Sequence, residues 1–154
     1  MTSTGAVSHM SLALAEARAA AARGEVPVGA VIVSPTGQVV AVAGNRTCEL
    51  SDPTAHAEML AIRGACTVLG SERLTGCDLY VTLEPCPMCA AAISFARVRR
   101  LYYGASDPKG GGVEHGARVF SRPTCHHVPE IYPGIAEAEA GALLRDFFVA
   151  KRET

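Results

Sequence analysis

The sequence predicts a three-layer α/β/α domain around one central mixed five-stranded sheet. Three observations carry that expectation. Apolar runs of strand length alternate with stretches of helical periodicity, the pattern of a sheet covered on both faces. The first two runs are joined by Pro35-Thr36-Gly37, turn chemistry that makes an antiparallel hairpin, so the sheet must be mixed. The 154 residues, 49% apolar and 19% charged, suffice for one sizeable core and are too apolar for long disordered stretches.

The elements follow in order. Met1 to His9 are set aside as a flexible leader or a cloning remnant, which leaves 10–154 as a single domain. Ser11 to Arg23 is rich in Ala, Leu, Glu and Arg and is followed by Gly24, a helix with a glycine stop. Val26 to Ser34 and Gln38 to Ala43 are the arms of the hairpin, and Gly44 to Asp52 is a polar loop. Asp52-Pro53-Thr54 offers capping side chains and a first-turn proline for a helix over Ala55–Leu69. Asp78 to Leu83 reads as a buried strand, Pro87 as the first position of a helix to Ala96, and Arg99 to Gly104 as a further strand. Ala105 to Gly116 is glycine-rich and too long for a mere connector, which marks it as functional. Val128 to Tyr132 makes a short last strand. A closing helix spans Ile135–Arg152, where Ile135, Ala138, Ala142, Leu143, Leu144, Phe147 and Phe148 recur at three and four.

No apolar run approaches the roughly 20 residues that span a bilayer, and no basic segment followed by an apolar one opens the chain, so no membrane partner and a cytoplasmic location are expected. The net charge of −1 argues against a broad nucleic-acid surface. Any such contact should be local, through Arg97, Arg99 and Arg100, Lys109, or Lys151 with Arg152; each also reads as a solvated face. Of the six cysteines, only Cys86 and Cys89 have ligand spacing. Cys48, Cys66, Cys77 and Cys125 read as reduced, small buried residues.

The chemistry gathers at two helix starts, His56-Ala57-Glu58 and Pro85-Cys86-Pro87-Met88-Cys89. Cysteines at i and i+3 on a first turn put both sulfurs on one side, where the helix dipole favours thiolates. Alone, such a pair is ambiguous between zinc and redox chemistry; His56 makes a third ligand and favours zinc. Three protein ligands leave a fourth position for water, whereas Cys125, His126 or His127 as a fourth ligand would make a structural site. Zn²⁺ with two thiolates and a neutral imidazole is formally neutral, so its water is less acidic than one bound beside three histidines. It needs a base, and Glu58 is the only carboxylate the motif supplies; the bland reading is a solvated first-turn glutamate.

This pairing resembles the zinc nucleoside deaminase signature. The resemblance extends over Glu25-Val26-Pro27-Val28-Gly29-Ala30-Val31, Gly44-Asn45-Arg46, Asp52 to Glu58 and Tyr80 to Cys89. It continues in Tyr103-Gly104-Ala105 with Asp107 and Lys109, and in Asp146-Phe147-Phe148. From about Met10 to Arg152 the chain is similar to the bacterial tRNA adenosine deaminases of the cytidine/deoxycytidylate deaminase superfamily. The resemblance implies a cytidine-deaminase-like fold, one Zn²⁺ per subunit, a homodimer, and conversion of adenosine to inosine at the wobble position of the tRNA anticodon loop. It implies that the metal activates a water to attack C6 while Glu58 moves the protons. Asn45, Ala57 and Asp107 should contact the flipped nucleotide, Lys109 the RNA backbone, and Phe148 and Arg152 the neighbouring loop nucleotides. The blander roles are Asn45 turning its loop, Asp107 capping one, and Phe148 in the core. Two other functions fit the motif: deamination of a free nucleobase or nucleoside such as guanine or cytosine, and a zinc-stabilised RNA-binding module without catalysis. A dimer would use the small-residue helix Pro87–Ala96.

Overall fold

The structure, a computed structural model, describes residues 2–153. Five strands form one sheet in the order β2-β1-β3-β4-β5: β1 Gly29–Val33, β2 Val39–Gly44, β3 Asp78–Leu83, β4 Arg100–Ala105 and β5 Glu130–Tyr132. The hairpin pairs β1 with β2 antiparallel, and β1 also runs antiparallel to β3. The β3, β4 and β5 strands are mutually parallel. Helices cover both faces, as three-layer packing requires. The helices are α1 Thr2–Ala22, α2 Ala57–Leu69, α3 Pro87–Ala96 and α4 Glu137–Glu153. One core joins the sheet to α2 and α3 through Ile32, Leu79, Val81, Ile93, Leu101 and Tyr103. The other joins it to α1 and α4 through Met10, Leu14, Val31, Tyr80 and Tyr102.

Every residue of β1 is buried, so its pattern is a continuous apolar run rather than an alternation. The α1 helix crosses β1 so closely that a Cβ on Gly29 would lie 1.9 Å from the Ala13 carbonyl oxygen. That approach is why a glycine opens the strand. On the α1 face, Tyr80, Tyr102 and Tyr132 sit in register on β3, β4 and β5. Their rings stack at 4.4 and 4.9 Å.

Several boundaries differ from the sequence reading. The first helix begins at Thr2, not Ser11, because Ala6 and Met10 at i and i+4 are buried against the sheet. His9 also meets the Tyr80 ring, 4.9 Å between centroids. The Val26–Val28 stretch stays outside β1; Pro27 has no N–H for a ladder. The closing helix starts at Glu137, since Ala136 has φ of 57°, outside helical backbone space. Its buried face is narrower than the periodicity suggested: Ala140 is buried, Leu143 and Leu144 are half-buried, and Ala138 is exposed.

Candidate metal centre and substrate pocket

Parallel β3 and β4 end side by side, with Leu83 opposite Ala105. The Glu84 N–H donates to the Ala105 carbonyl at 2.8 Å. The chain then leaves β3 through Pro85-Cys86 and β4 through Ser106-Asp107, so both exits fall at the carboxyl edge of the parallel strands, where α/β sheets carry their sites. The N-termini of α2 and α3 meet this edge. His56 is the N-cap of α2 and Cys86 the N-cap of α3, both with extended backbone (φ −72°, ψ 153° and φ −71°, ψ 172°). Neither side chain caps its own helix.

Both side chains turn to one point. His56 Nδ1 lies 3.6 Å from Cys86 Sγ and 3.5 Å from Cys89 Sγ, and the three donor atoms fall within 4.8 Å of one another. A tetrahedral zinc with N and S bonds of ~2.0 and ~2.3 Å holds those atoms about 3.6 Å apart, so the donor set fits the ion. Its protonation fits as well. Hydrogen bonding from Cys89, together with His56, pulls the Cys86 thiol down to about 4. The same contact with Cys86, plus burial, pushes Cys89 up. Without a cation the pair keeps one proton between two sulfurs; a divalent ion displaces it and makes both thiolates.

Glu58 is the second residue of α2 and only 4% exposed. Burial pushes its carboxyl up to about 7, and the neighbouring Cys86 adds to the shift. His56 and Glu58 are two apart, a spacing that would face them apart within a helix. Because α2 begins between them, His56 reaches from the extended N-cap and both side chains line one pocket.

That pocket has a volume of about 330 Å³, within the usual range for small-molecule sites. Asn45, Ala57 and Asp107 line it with His56, Glu58 and Cys86. Asn45 is buried, and its Nδ2 donates to Glu25 and Thr47, each at 3.3 Å. Its Oδ1 is the group it can offer a ligand. Ala57 stands at the first helical position, where a backbone N–H has no partner within the helix. Asp107 both lines the pocket and caps a turn, accepting the Gly110 N–H at 2.9 Å. Lys109 is exposed beside the lining residue Gly110. Phe148 and Arg152 are exposed on α4 and lie outside the pocket lining. Phe148 is 44% exposed, which removes it from the core, and meets Phe147 edge-on at 5.3 Å.

Other expectations shift. Among the described residues, Cys125, His126 and His127 are not part of the metal cluster. Cys125 Sγ donates to the His127 carbonyl at 3.3 Å, His127 Nε2 meets the Val98 carbonyl at 2.8 Å, and His126 packs on Phe95. Among the described residues the candidate donor group is His56, Cys86 and Cys89 alone. Arg99 and Arg100 are engaged by Asp78, and Arg100 also by Glu130, so these two are not free basic groups; Arg97 donates to the Ser94 carbonyl at 3.0 Å. All six cysteines are free; of the four expected to be buried, Cys77 is, Cys66 and Cys125 are half-buried, and Cys48 is exposed in the loop after β2.

Two buried carboxylates received no role from the sequence. Glu25 accepts the N–H groups of Cys48 and Glu49 at 3.1 and 2.8 Å, and holds Asn45 as well. Burial alone would raise its pKa; the N–H bonds outweigh that and hold it below the ordinary carboxylate value. Glu84 does the same for the opposite loop. For Glu84, an acidic residue at the end of an otherwise apolar strand was the available signal, since such a group must find partners.

The comparisons with known proteins agree with this geometry. The model of the cytidine and deoxycytidylate deaminase zinc-binding region matches residues 4–105. The tRNA-specific adenosine deaminase of Agrobacterium fabrum is 66% identical over 143 residues, 93% of each chain. That of Rickettsia bellii is 46% identical, covering 94% of this chain and all of the relative. A structure solved in work on A-to-I editing by tRNA A34 deaminases at the wobble position superposes with a TM-score of 0.87 and 66% identity, covering 88% of this chain and 98% of that one. The Bacillus subtilis guanine deaminase shares the fold with a TM-score of 0.64 and 32% identity, covering 96% and 93%. On this evidence the chain belongs to the zinc-binding cytidine and deoxycytidylate deaminase family and, within it, to the tRNA-specific adenosine deaminases.

Proposed function

We propose that this protein hydrolytically deaminates adenosine to inosine at the wobble position of tRNA. The observation that carries the reading is the buried Glu58 carboxyl beside the His56, Cys86 and Cys89 donor set, at the wall of an open pocket. His56, Cys86 and Cys89 hold the zinc, which when bound acidifies a water molecule and so supplies the nucleophile.

Glu58 performs the proton transfers. It accepts one proton from the attacking water and delivers it to N1 of the base. It then passes the second water proton to the exocyclic amine. A C6–O bond forms, the C6–N bond breaks, and ammonia leaves. The Ala57 backbone and the Asn45 side chain orient the base and its sugar. Asp107 contacts the sugar or phosphate beside it, and Lys109 on the outer rim meets the RNA backbone. Phe148 and Arg152 on α4 meet flanking loop nucleotides. A base in a single-stranded loop is the accessible form of this substrate, because extrusion from a stacked duplex costs a few kcal/mol more.

A free-base deaminase is the second reading, favoured by the likeness to guanine deaminase. Ammonia release from an anticodon stem-loop, compared with adenosine, adenine, guanine and cytosine, separates the two. The protein acts as a cytoplasmic homodimer through α3, whose exposed Phe95 (61%) borders a second groove with Ala91, Val119 and His126. A dimer in sedimentation at micromolar concentration supports that assembly, and a monomer refutes it.

A further inference from the structure

Glu84 stands one residue before Pro85-Cys86 and is 1% exposed. Its carboxylate receives five contacts, all from one loop. Oε1 accepts the Asp107 N–H at 3.0 Å and meets His115 Nδ1 at 2.7 Å. Oε2 accepts the N–H groups of Val113, Glu114 and His115 at 3.2, 2.9 and 3.0 Å. Among the described residues no lysine or arginine pairs with it. A buried carboxylate without a fixed cation is costly unless its lone pairs are filled. Here the loop alone fills them.

The loop needs the carboxylate equally. Residues 106–116 contain no helix or strand, so their backbone groups must find partners elsewhere. Glu84 gathers donors from both limbs, Asp107 from the first and Val113 to His115 from the second, and so folds the loop back on itself. The glycines let it close: a Cβ on Gly111 would lie 2.5 Å from Glu84 Oε2. The Gly112 N–H then donates to the Pro85 carbonyl at 2.8 Å, seating the loop on the metal-ligand segment.

We propose that Glu84 is a positioning residue for the deaminase reaction. It sets the height of the pocket-lining Asp107 and Gly110 relative to Cys86, and thereby the fit of the substrate's sugar and phosphate. The inference rests on the tRNA deaminase reading above.

The test is Glu84→Gln in the zinc-loaded protein, assayed on an anticodon stem-loop with wobble adenosine. The glutamine must turn its NH₂ toward either the Asp107 N–H or the three N–H groups opposite, so part of the cradle is lost. KM for the stem-loop should rise about 10- to 100-fold, the worth of one or two hydrogen bonds to a charged group, while kcat changes far less and zinc stoichiometry holds. In the Asp107→Ala background the same substitution should cost less than in the wild type, because both act on one contact. An unchanged KM, with or without lost thermal stability or zinc, would make Glu84 merely structural and overturn the proposal. If Glu84→Gln does not fold, His115→Ala removes one of the five contacts from a side chain 37% exposed. It should raise KM a few-fold, and an unchanged KM there refutes the idea equally. A wild-type protein inert on the stem-loop would overturn the functional reading instead, whatever the variants do.

Discussion

Replacing Gly112 by alanine probes the contact between the glycine-rich loop and the metal-ligand segment. A Cβ on Gly112 would lie 2.6 Å from the Pro87 nitrogen, 2.7 Å from its Cα and 2.8 Å from the Cys86 carbonyl carbon. All three are backbone atoms, which no rotamer change can move. Moving from 2.6 Å to an ordinary contact at 3.4 Å requires a shift of about 0.8 Å. Such a shift would stretch the 2.8 Å bond from the Gly112 N–H to the Pro85 carbonyl to about 3.6 Å, beyond hydrogen-bond range. Overpacking costs ~1–3 kcal/mol and the lost bond ~0.5–1.5, together roughly 2–4 kcal/mol. At ~2–4 °C per kcal/mol for a chain of this size, Tm should fall by roughly 5–15 °C. Asp107 shares this loop, and a misplacement near 1 Å should cost on the order of 100-fold in kcat/KM for the stem-loop, chiefly through KM. Thermal unfolding by circular dichroism and inosine formation in the stem-loop read the two effects. Gly64→Ala is the control. Its Cβ would meet Ala41 at an ordinary 3.5 Å inside α2, so it should stabilise by up to ~1 kcal/mol. Wild-type melting and wild-type turnover in Gly112→Ala would refute the close-packing argument.

Glu58→Gln should retain zinc, measured by metal analysis, and lose turnover by about 10²- to 10⁴-fold; loss of zinc from that variant would contradict its role as proton carrier rather than ligand. Removing zinc with a chelator should abolish turnover and lower Tm, both restored by added zinc, since an ion bound only by the folded chain stabilises it; indifference to chelation would count against the metal centre. Glu25 titrates below its ordinary value of 4.5 in the folded chain: burial raises it, and the Glu49 and Cys48 N–H bonds more than reverse that. A carboxylate depressed on folding contributes stability that is present above its unfolded pKa and lost as pH falls through the lower folded value. Glu25→Gln should therefore destabilise most at neutral pH, with the gap to wild type narrowing below pH 4.5 in chemical denaturation; a gap that widens in acid would reverse the assignment.

The parts of the fold legible in the sequence were those with dense local signals. The β3 strand over Asp78–Leu83 and the α3 helix over Pro87–Ala96 fall where the apolar run and the first-turn proline put them. The start of α1 was not legible, because its support is burial of Ala6 and Met10 against strands far along the chain. The bend at Ala136 has no local sign, since alanine seldom adopts positive φ. The metal triad could be read because ligand spacing at two helix starts is a local pattern. A helix start at this point also lets His56 and Glu58 reach one place despite their spacing; the start of α2 at Ala57 rather than Ala55, which leaves His56 as an extended N-cap, could not be read. Glu25 and Glu84 escaped for a related reason. Most of their partners are backbone N–H groups of loops 23 to 31 residues away, which carry no side-chain signature. Arg99 and Arg100 looked like a nucleic-acid patch for the converse reason, as Asp78 and Glu130 meet them only once the parallel strands align.

The most direct test of the account is the product formed by the zinc-loaded protein on an anticodon stem-loop with adenosine at the wobble position, run beside free adenosine, adenine, guanine and cytosine. Inosine in the stem-loop, with ammonia released and the free compounds untouched, is the expected result. Turnover of a free base with an inert stem-loop would contradict the account, keeping the zinc site and Glu58 but removing the tRNA substrate.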